Sequence, residues 1–233
     1  MSQKKSNKSK TDDLVVDAVE VQPQTKFNIE SYIAHNQKTL SYIVGGLTVI
    51  AGLYFGYKYL YLAPKEKEAV TAMYKAEDLF AQDSFAVALE NANPEIEGFL
   101  SIIDNYSGTK AANTAKYYAG ICYLNLGNYE EAINYLNKYS APDEVTDIMK
   151  TGALGDAYAD QGDKDKALDL YNKAAKKADN ELTTPYYLNK AALLSYVMGK
   201  NEDAIKIFEE IFTKYPDTAE AKEAEKYLAR LKQ

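Results

Sequence analysis

Apolar positions are sparse and without period over the first 27 residues, where a Lys- and Ser-rich opening (KKSNKSK) gives way to an acidic run with one small apolar patch (DDLVVDAVE). That is too little apolar mass to offset the entropy of ordering, so residues 1–27 are expected to form a disordered tail. The pattern then changes abruptly. Thr39 to Tyr57 is a run of 19 residues without a formal charge, which as a helix rising about 1.5 Å per residue covers roughly 28 Å, close to the hydrocarbon thickness of a bilayer. A membrane anchor is therefore expected at 28–63, with a transmembrane helix at about 39–62. A cleaved signal peptide would begin nearer the N-terminus and be shorter, and a buried helix of this chain would carry charges every few residues, so a signal-anchor fits. Tyr42 on one side and Tyr54, Tyr57, Tyr59 and Tyr61 on the other suit the two interfacial aromatic belts, and Lys58 can snorkel. Ser41, Gly45, Thr48, Gly52 and Gly56 fall on one helix face and form a small-residue ladder of the kind that lets membrane helices pack closely.

Beyond the span the apolar positions recur every three to four residues, with Gly or Pro at the breaks and no alternating runs, which makes the remainder all-α. It is also repetitive. GICYLNLGNYEEAINYL from Gly120, GDAYADQGDKDKALDLY from Gly155 and ALLSYVMGKNEDAIKIF from Ala192 align at offsets of 35 and 37 residues. Each copy carries a small residue (Gly120, Gly155, Ala192), a later glycine (Gly127, Gly162, Gly199), an alanine (Ala132, Ala167, Ala204) and a large apolar residue (Leu136, Tyr171, Phe208). The small residues let two helices of a unit approach, the glycine ends the first helix in a tight turn, and the large residue is expected to fill the space between successive units. A fainter copy precedes these, with MYKAEDLF from Met73 and a second helix from Pro94, Gly98 standing in register with Ala132 across an enlarged turn. DTAEAKEAEKYLARLK from Asp217 reads as a closing helix with an acidic cap and Ala221, Ala224, Leu228 and Leu231 on one face.

These recurring positions resemble the tetratricopeptide repeat, a unit of two antiparallel helices. Together with the membrane helix expected from the charge-free run, the resemblance implies an all-α chain: a single N-terminal transmembrane helix followed by an α-solenoid over 64–233. Its hairpins are expected at about 66–108, 113–140, 147–179 and 184–215, with a capping helix at 217–232. Tyr123 and Tyr158 take the family's tyrosine position, Ser195 replaces it in the third copy, and the closing proline is present only as Pro216. The resemblance further implies a groove lined by the first helix of each pair. Its candidate protein-binding residues are Tyr117, Ile121, Leu124, Met149, Asp156, Tyr186, Asn189, Leu193 and Tyr196. Tyr-rich lining suits extended or apolar polypeptide, because tyrosine offers large contact area with a polar tip. The clamp by which some repeats of this family hold acidic chaperone tails wants Asn and Lys where this chain has Ile121 and Tyr117, so that partner is disfavoured.

Charge and composition narrow the function classes. With 27 basic against 34 acidic residues the net charge is -7, which leaves no general affinity for nucleic acid. A single cysteine, Cys122, and a single histidine, His35, exclude a disulfide framework, multi-cysteine zinc sites and His-pair metal sites. Cys122 reads as a buried small residue and His35 as an interfacial side chain; no catalytic cluster, cofactor or small-molecule substrate is implied. The layout of one anchor followed by divergent repeats, from about Asn28 to Arg230, resembles the ancillary subunit of the bacterial Sec translocon. That resemblance implies an inner-membrane protein with a cytoplasmic N-terminus and a periplasmic repeat domain. Its partners would be the translocon and a periplasmic prolyl-isomerase-type folding factor. Flanking charge does not choose an orientation, since Lys26 and Lys38 precede the span and Lys58, Lys65 and Lys67 follow it, though Lys4, Lys5, Lys8 and Lys10 favour a cytoplasmic tail. An import-receptor-type repeat protein with its domain in the cytosol, or a general envelope-assembly scaffold, has the same order of parts.

Overall fold

The computed structural model describes residues 29–91 and 96–232. The tail expected at 1–27 lies outside the described residues. The chain divides into two compact units, Met1–Gly52 and Leu53–Gln233, and every helix named below is among the described residues.

The first described helix, α1 (Ile29–His35), is followed by α2 (Gln37–Gly56), none of whose residues is buried. Its apolar side chains stand open: Tyr42 is 81% exposed and Ile50 65%. The hydroxyl of Thr48 donates to the carbonyl of Val44 at 2.8 Å, so even this polar group turns back on its own helix. A Cβ at Gly45, Gly46, Gly52 or Gly56 would meet nothing within 4 Å. The small face of Ser41, Gly45, Thr48, Gly52 and Gly56 is thus open.

Directly after α2 come a π-helical turn, Tyr57–Leu62, and α3 (Ala63–Ala81). Proline cannot donate a backbone hydrogen bond but is tolerated in the first turn of a helix. The widened turn ends where the Ala63 N–H reaches back to the Lys58 carbonyl, and Pro64 sits in the first turn of α3. The enlarged turn that follows contains its own short helix, α4 (Phe85–Leu89), and the second helix of this hairpin is α5 (Phe99–Asn105). The helix expected from Pro94 therefore starts later; Pro94 itself lies outside the described residues. Gly98 is extended, its N–H donates to the Asn91 Oδ1 at 2.9 Å, and a Cβ there would come within 2.0 Å of the Glu90 carbonyl oxygen. Gly98 is thus an N-cap held against another backbone, and the buried position matching Ala132 is occupied by Ile102, the fourth residue of α5.

Three regular hairpins follow: α6 (Lys110–Asn125) with α7 (Tyr129–Lys138), α8 (Glu144–Gln161) with α9 (Lys164–Lys176), and α10 (Thr184–Val197) with α11 (Asn201–Lys214). Polar side chains satisfy orphan N–H groups at the helix starts. Thr109 accepts from the Ala112 N–H, and Asp143 and Thr146 form a reciprocal capping box. Each hairpin turns at a glycine with positive φ, +77° at Gly127, +100° at Gly162 and +73° at Gly199, a region where a Cβ would be strained. Ala132, Ala167 and Ala204 are all fully buried. The large residues of the first two copies do more than the spacing predicts. A Cβ on Gly120 would lie 2.6 Å from the Leu136 Cγ, and one on Gly155 2.6 Å from the Tyr171 Cε1. Leu136 and Tyr171 thus fill the notch inside their own hairpin and also pack toward the next, Leu136 in one cluster with Ala153 and Leu154 of α8 and Tyr171 in one cluster with Tyr187 and Leu188 of α10. The closing helix α12 (Ala219–Leu231) buries Ala221 and Ala224 and is capped by Thr218, whose hydroxyl accepts from the Ala221 N–H at 3.2 Å. The cap is thus Thr218, not the acidic Asp217.

Candidate functional site

Helices α6, α8 and α10 present one shared face, built where α8 lacks side chains. A Cβ on Gly152 would lie 2.0 Å from the ring of Tyr187, so that ring occupies the notch and brings α10 against α8. One turn along α8, Asp156 accepts from the Tyr171 hydroxyl at 2.6 Å and from the Lys190 ammonium at 2.7 Å. Lys190 also lies 5.6 Å from the ring centre of Tyr171 and 5.3 Å from that of Tyr186. Burial pulls the Lys190 ammonium down, yet Asp156 together with Tyr186 outweighs it and holds the group above the ordinary lysine range. Tyr186 packs edge-on against Tyr187, with ring centres 5.0 Å apart, and Tyr117 packs against Tyr139 at 5.4 Å.

Burial, with the field of Tyr139 and more weakly of Tyr118, Asp156 and Tyr186, pushes the Tyr117 hydroxyl up to about 12. Burial also raises Tyr171 and Tyr187 well above the usual phenol range, in each case with Asp156 contributing. A phenol held above its unfolded value of about 10 contributes stability that is intact below that pH and is lost as pH climbs through the folded value. The melting temperature should therefore fall steadily above pH 10, and Tyr117→Phe should make the fall shallower. An equal slope in the variant would show that Tyr117 is not a coupled member of the cluster.

The structure brings together three of the expected groove residues, Tyr117, Asp156 and Tyr186, and leaves Met149 open on α8, seven residues before Asp156. Tyr186 is 44% exposed and Met149 42%. Ile121 is half-buried against the Leu136 and Leu154 cluster, and Leu193 against the core around Phe208. Leu124 is half-buried on α6. Two residues are covered by the closing helix instead. Asn189 is buried and donates to the Glu223 carboxylate at 2.7 Å, and Tyr196 packs on Tyr227 at 5.5 Å. The sequence reading missed Lys190, Tyr187 and Tyr171. Lys190 stands four residues after Tyr186 and so on the same helix face; Tyr187 is signalled only by the missing side chain at Gly152.

Cys122 is fully buried, and burial pushes its thiol up to about 12, which removes the thiolate a nucleophile needs. Among the described residues no group of three or more His, Cys, Asp or Glu side chains is placed to hold a metal ion.

Among curated proteins none matches this chain. The crystal structure of a candidate kinesin light chain from Podosopora anserina with nearly identical TPR-like repeats is similar to it, with a TM-score of 0.56 at 13% identity over 71% of this chain and 85% of that one. At that identity the likeness establishes the fold alone. The family model described as Tetratricopeptide repeat matches residues 114–141 and 187–218, and a second model of the same description matches 151–181, so the three regular hairpins carry tetratricopeptide repeats.

Proposed function

We propose that this chain is a non-enzymatic scaffold, tethered to a membrane by one N-terminal helix, whose repeat array receives an extended polypeptide segment. The observation that carries the binding half is the shared face of α6, α8 and α10. There an exposed Tyr186 and Met149 flank a half-buried Asp156 and Lys190 pair, so apolar contact and hydrogen-bonding groups of both signs lie side by side. Such a mixture suits a peptide, which carries amides and side chains together. The membrane half is supported by Gln37–Ala81, the one helix among the described residues long and apolar enough to cross a bilayer by length and composition. Unpartnered apolar surface in water costs about 25 cal/mol per Å², and the open side chains from Tyr42 onward make lipid the solvent that removes this cost.

The setting proposed is a bacterial inner membrane, with the lysine-rich tail in the cytoplasm and the repeats in the periplasm. The role proposed is an ancillary factor of the Sec translocon that assists crossing proteins together with a periplasmic prolyl-isomerase-type factor. A photocrosslinking residue at position 186, in a full chain carrying alkaline phosphatase after Gln233, tests both halves in bacterial membranes. The expected result is an active phosphatase and crosslinks from 186 to translocon or transiting chains, with none from the exposed Lys173 position. Crosslinks equal at 186 and 173 would overturn the groove, and an inactive phosphatase beside an active cytoplasmic reporter would reverse the topology.

A further inference from the structure

The charge-free run ends at Tyr57, and the π-helical turn after it carries exposed rings and ammonium groups together. Tyr57 is 53% exposed, Tyr59 61% and Leu60 82%. The Lys58 ammonium lies 5.9 Å from the ring centre of Tyr54 and 5.8 Å from that of Tyr59, and the Lys65 ammonium 5.4 Å from that of Tyr61. Rings with a polar tip beside snorkelling lysines are the composition of a bilayer's headgroup layer.

A loop from much further along the chain packs on this turn. Gly108, between α5 and α6, has φ +90°, and a Cβ there would lie 3.7 Å from the Tyr57 hydroxyl and 3.8 Å from the Leu62 Cδ1. The Lys65 ammonium donates to the Ser107 carbonyl at 3.5 Å. Glu66 then locks the joint: its carboxylate accepts from the Lys110 N–H at 2.6 Å and the Ala111 N–H at 3.0 Å, the first turn of α6. A carboxylate at a helix N-terminus satisfies orphan amides and meets the positive end of the dipole, so the loop cannot leave the turn without uncapping α6. Thr109 is buried in this joint, whereas Ser107, Gly108 and Lys110 are exposed.

We infer that the Ser107–Lys110 loop is a membrane-surface contact. It lies in the phosphate layer beside Tyr57–Leu62, with Lys58, Lys65 and Lys110 facing lipid phosphates, and it seats the first hairpins on the bilayer. The Glu66 charge does not oppose this, because two backbone amides hold it. The inference rests on the membrane reading above, and the test separates the two. The full chain with Cys122→Ala is reconstituted in phosphatidylcholine and phosphatidylglycerol vesicles, and single fluorescent labels are attached at Val49→Cys, Tyr59→Cys, Ser107→Cys or Lys226→Cys. Quenching is read with nitroxide placed either on the lipid headgroup or deep in the acyl chain. The label at 107 should lose as much fluorescence to headgroup nitroxide as the label at 59, while the label at 226 on α12 loses none and the label at 49 is quenched by the acyl-chain probe. A label at 107 as unquenched as that at 226, with 49 still quenched, overturns the surface contact and leaves the anchor standing. A label at 49 untouched by the acyl-chain probe overturns the anchor, and the contact with it.

Discussion

Phe208→Ala should destabilise the repeat array by about 3–5 kcal/mol, the range for emptying a buried aromatic site. Phe208 is fully buried and stacks on Tyr227 of α12 with ring centres 5.0 Å apart and planes 7° from parallel. It shares its cluster with Ala192, Ala204 and Ile211, so the ring joins both helices of the last hairpin to the closing helix. Its neighbours are largely alanines, which have no side-chain freedom with which to refill a cavity. Repeats contact only their neighbours, so the loss should be local. Hydrogen exchange should accelerate in α10, α11 and α12 well before α6 and α7, alongside a lower denaturation midpoint. A loss below about 1 kcal/mol would mean that α12 collapses into the space and that Tyr227 has other support.

The repeat arithmetic was legible because its chemistry is local. A glycine that must take positive φ, and an alanine that must vanish between helices, leave marks at fixed spacing, and Gly127, Gly162, Gly199, Ala132, Ala167 and Ala204 all stand where the spacing puts them. The first hairpin was less legible because its geometry depends on a contact no period encodes, the approach of Gly98 to the Glu90 backbone. The contacts of Leu136 with Gly120 and of Tyr171 with Gly155 inside one hairpin were not legible for a related reason. Period reveals that a small and a large residue recur together, but not that the large one packs into its own hairpin as well as toward the next.

Of the candidate groove positions, Tyr117, Asp156 and Tyr186 come together in the structure, whereas Asn189 and Tyr196 do not join them. The positions taken from the family presume another first helix free to line the groove, yet beyond α10 the chain supplies α12, which folds over Asn189 and Tyr196. The central pair was half found. Asp156 stood at a groove position, but Lys190 enters only because Tyr187 fills the missing side chain at Gly152 and draws α10 close. No spacing rule within one helix reports such a contact between helices.

The tyrosines Tyr117, Tyr186 and Tyr196 are consequently not equivalent, and their substitution should separate binding from stability. Tyr186→Ser should weaken capture of the partner found by crosslinking at this position by about thirty-fold, the equivalent of about 2 kcal/mol for an aromatic anchor at an interface centre. Tyr186 is 44% exposed and its partners are the edge of Tyr187 and the Lys190 ammonium, so the melting temperature should move little. Tyr196→Ser should do the reverse, lowering the melt with a smaller effect on binding, because that ring is packed on Tyr227 beside Phe208. Lys173, exposed on α9, is the neutral control. Lys190→Met probes the same face from the charged side: it leaves the Asp156 carboxylate with only the Tyr171 hydroxyl, so a partner that donates to the groove should bind the variant more tightly and one that accepts should bind it less. If Tyr186→Ser binds as tightly as the native chain while Tyr196→Ser does not, the partner lies against α12, and the groove of α6, α8 and α10 is only the packing between repeats.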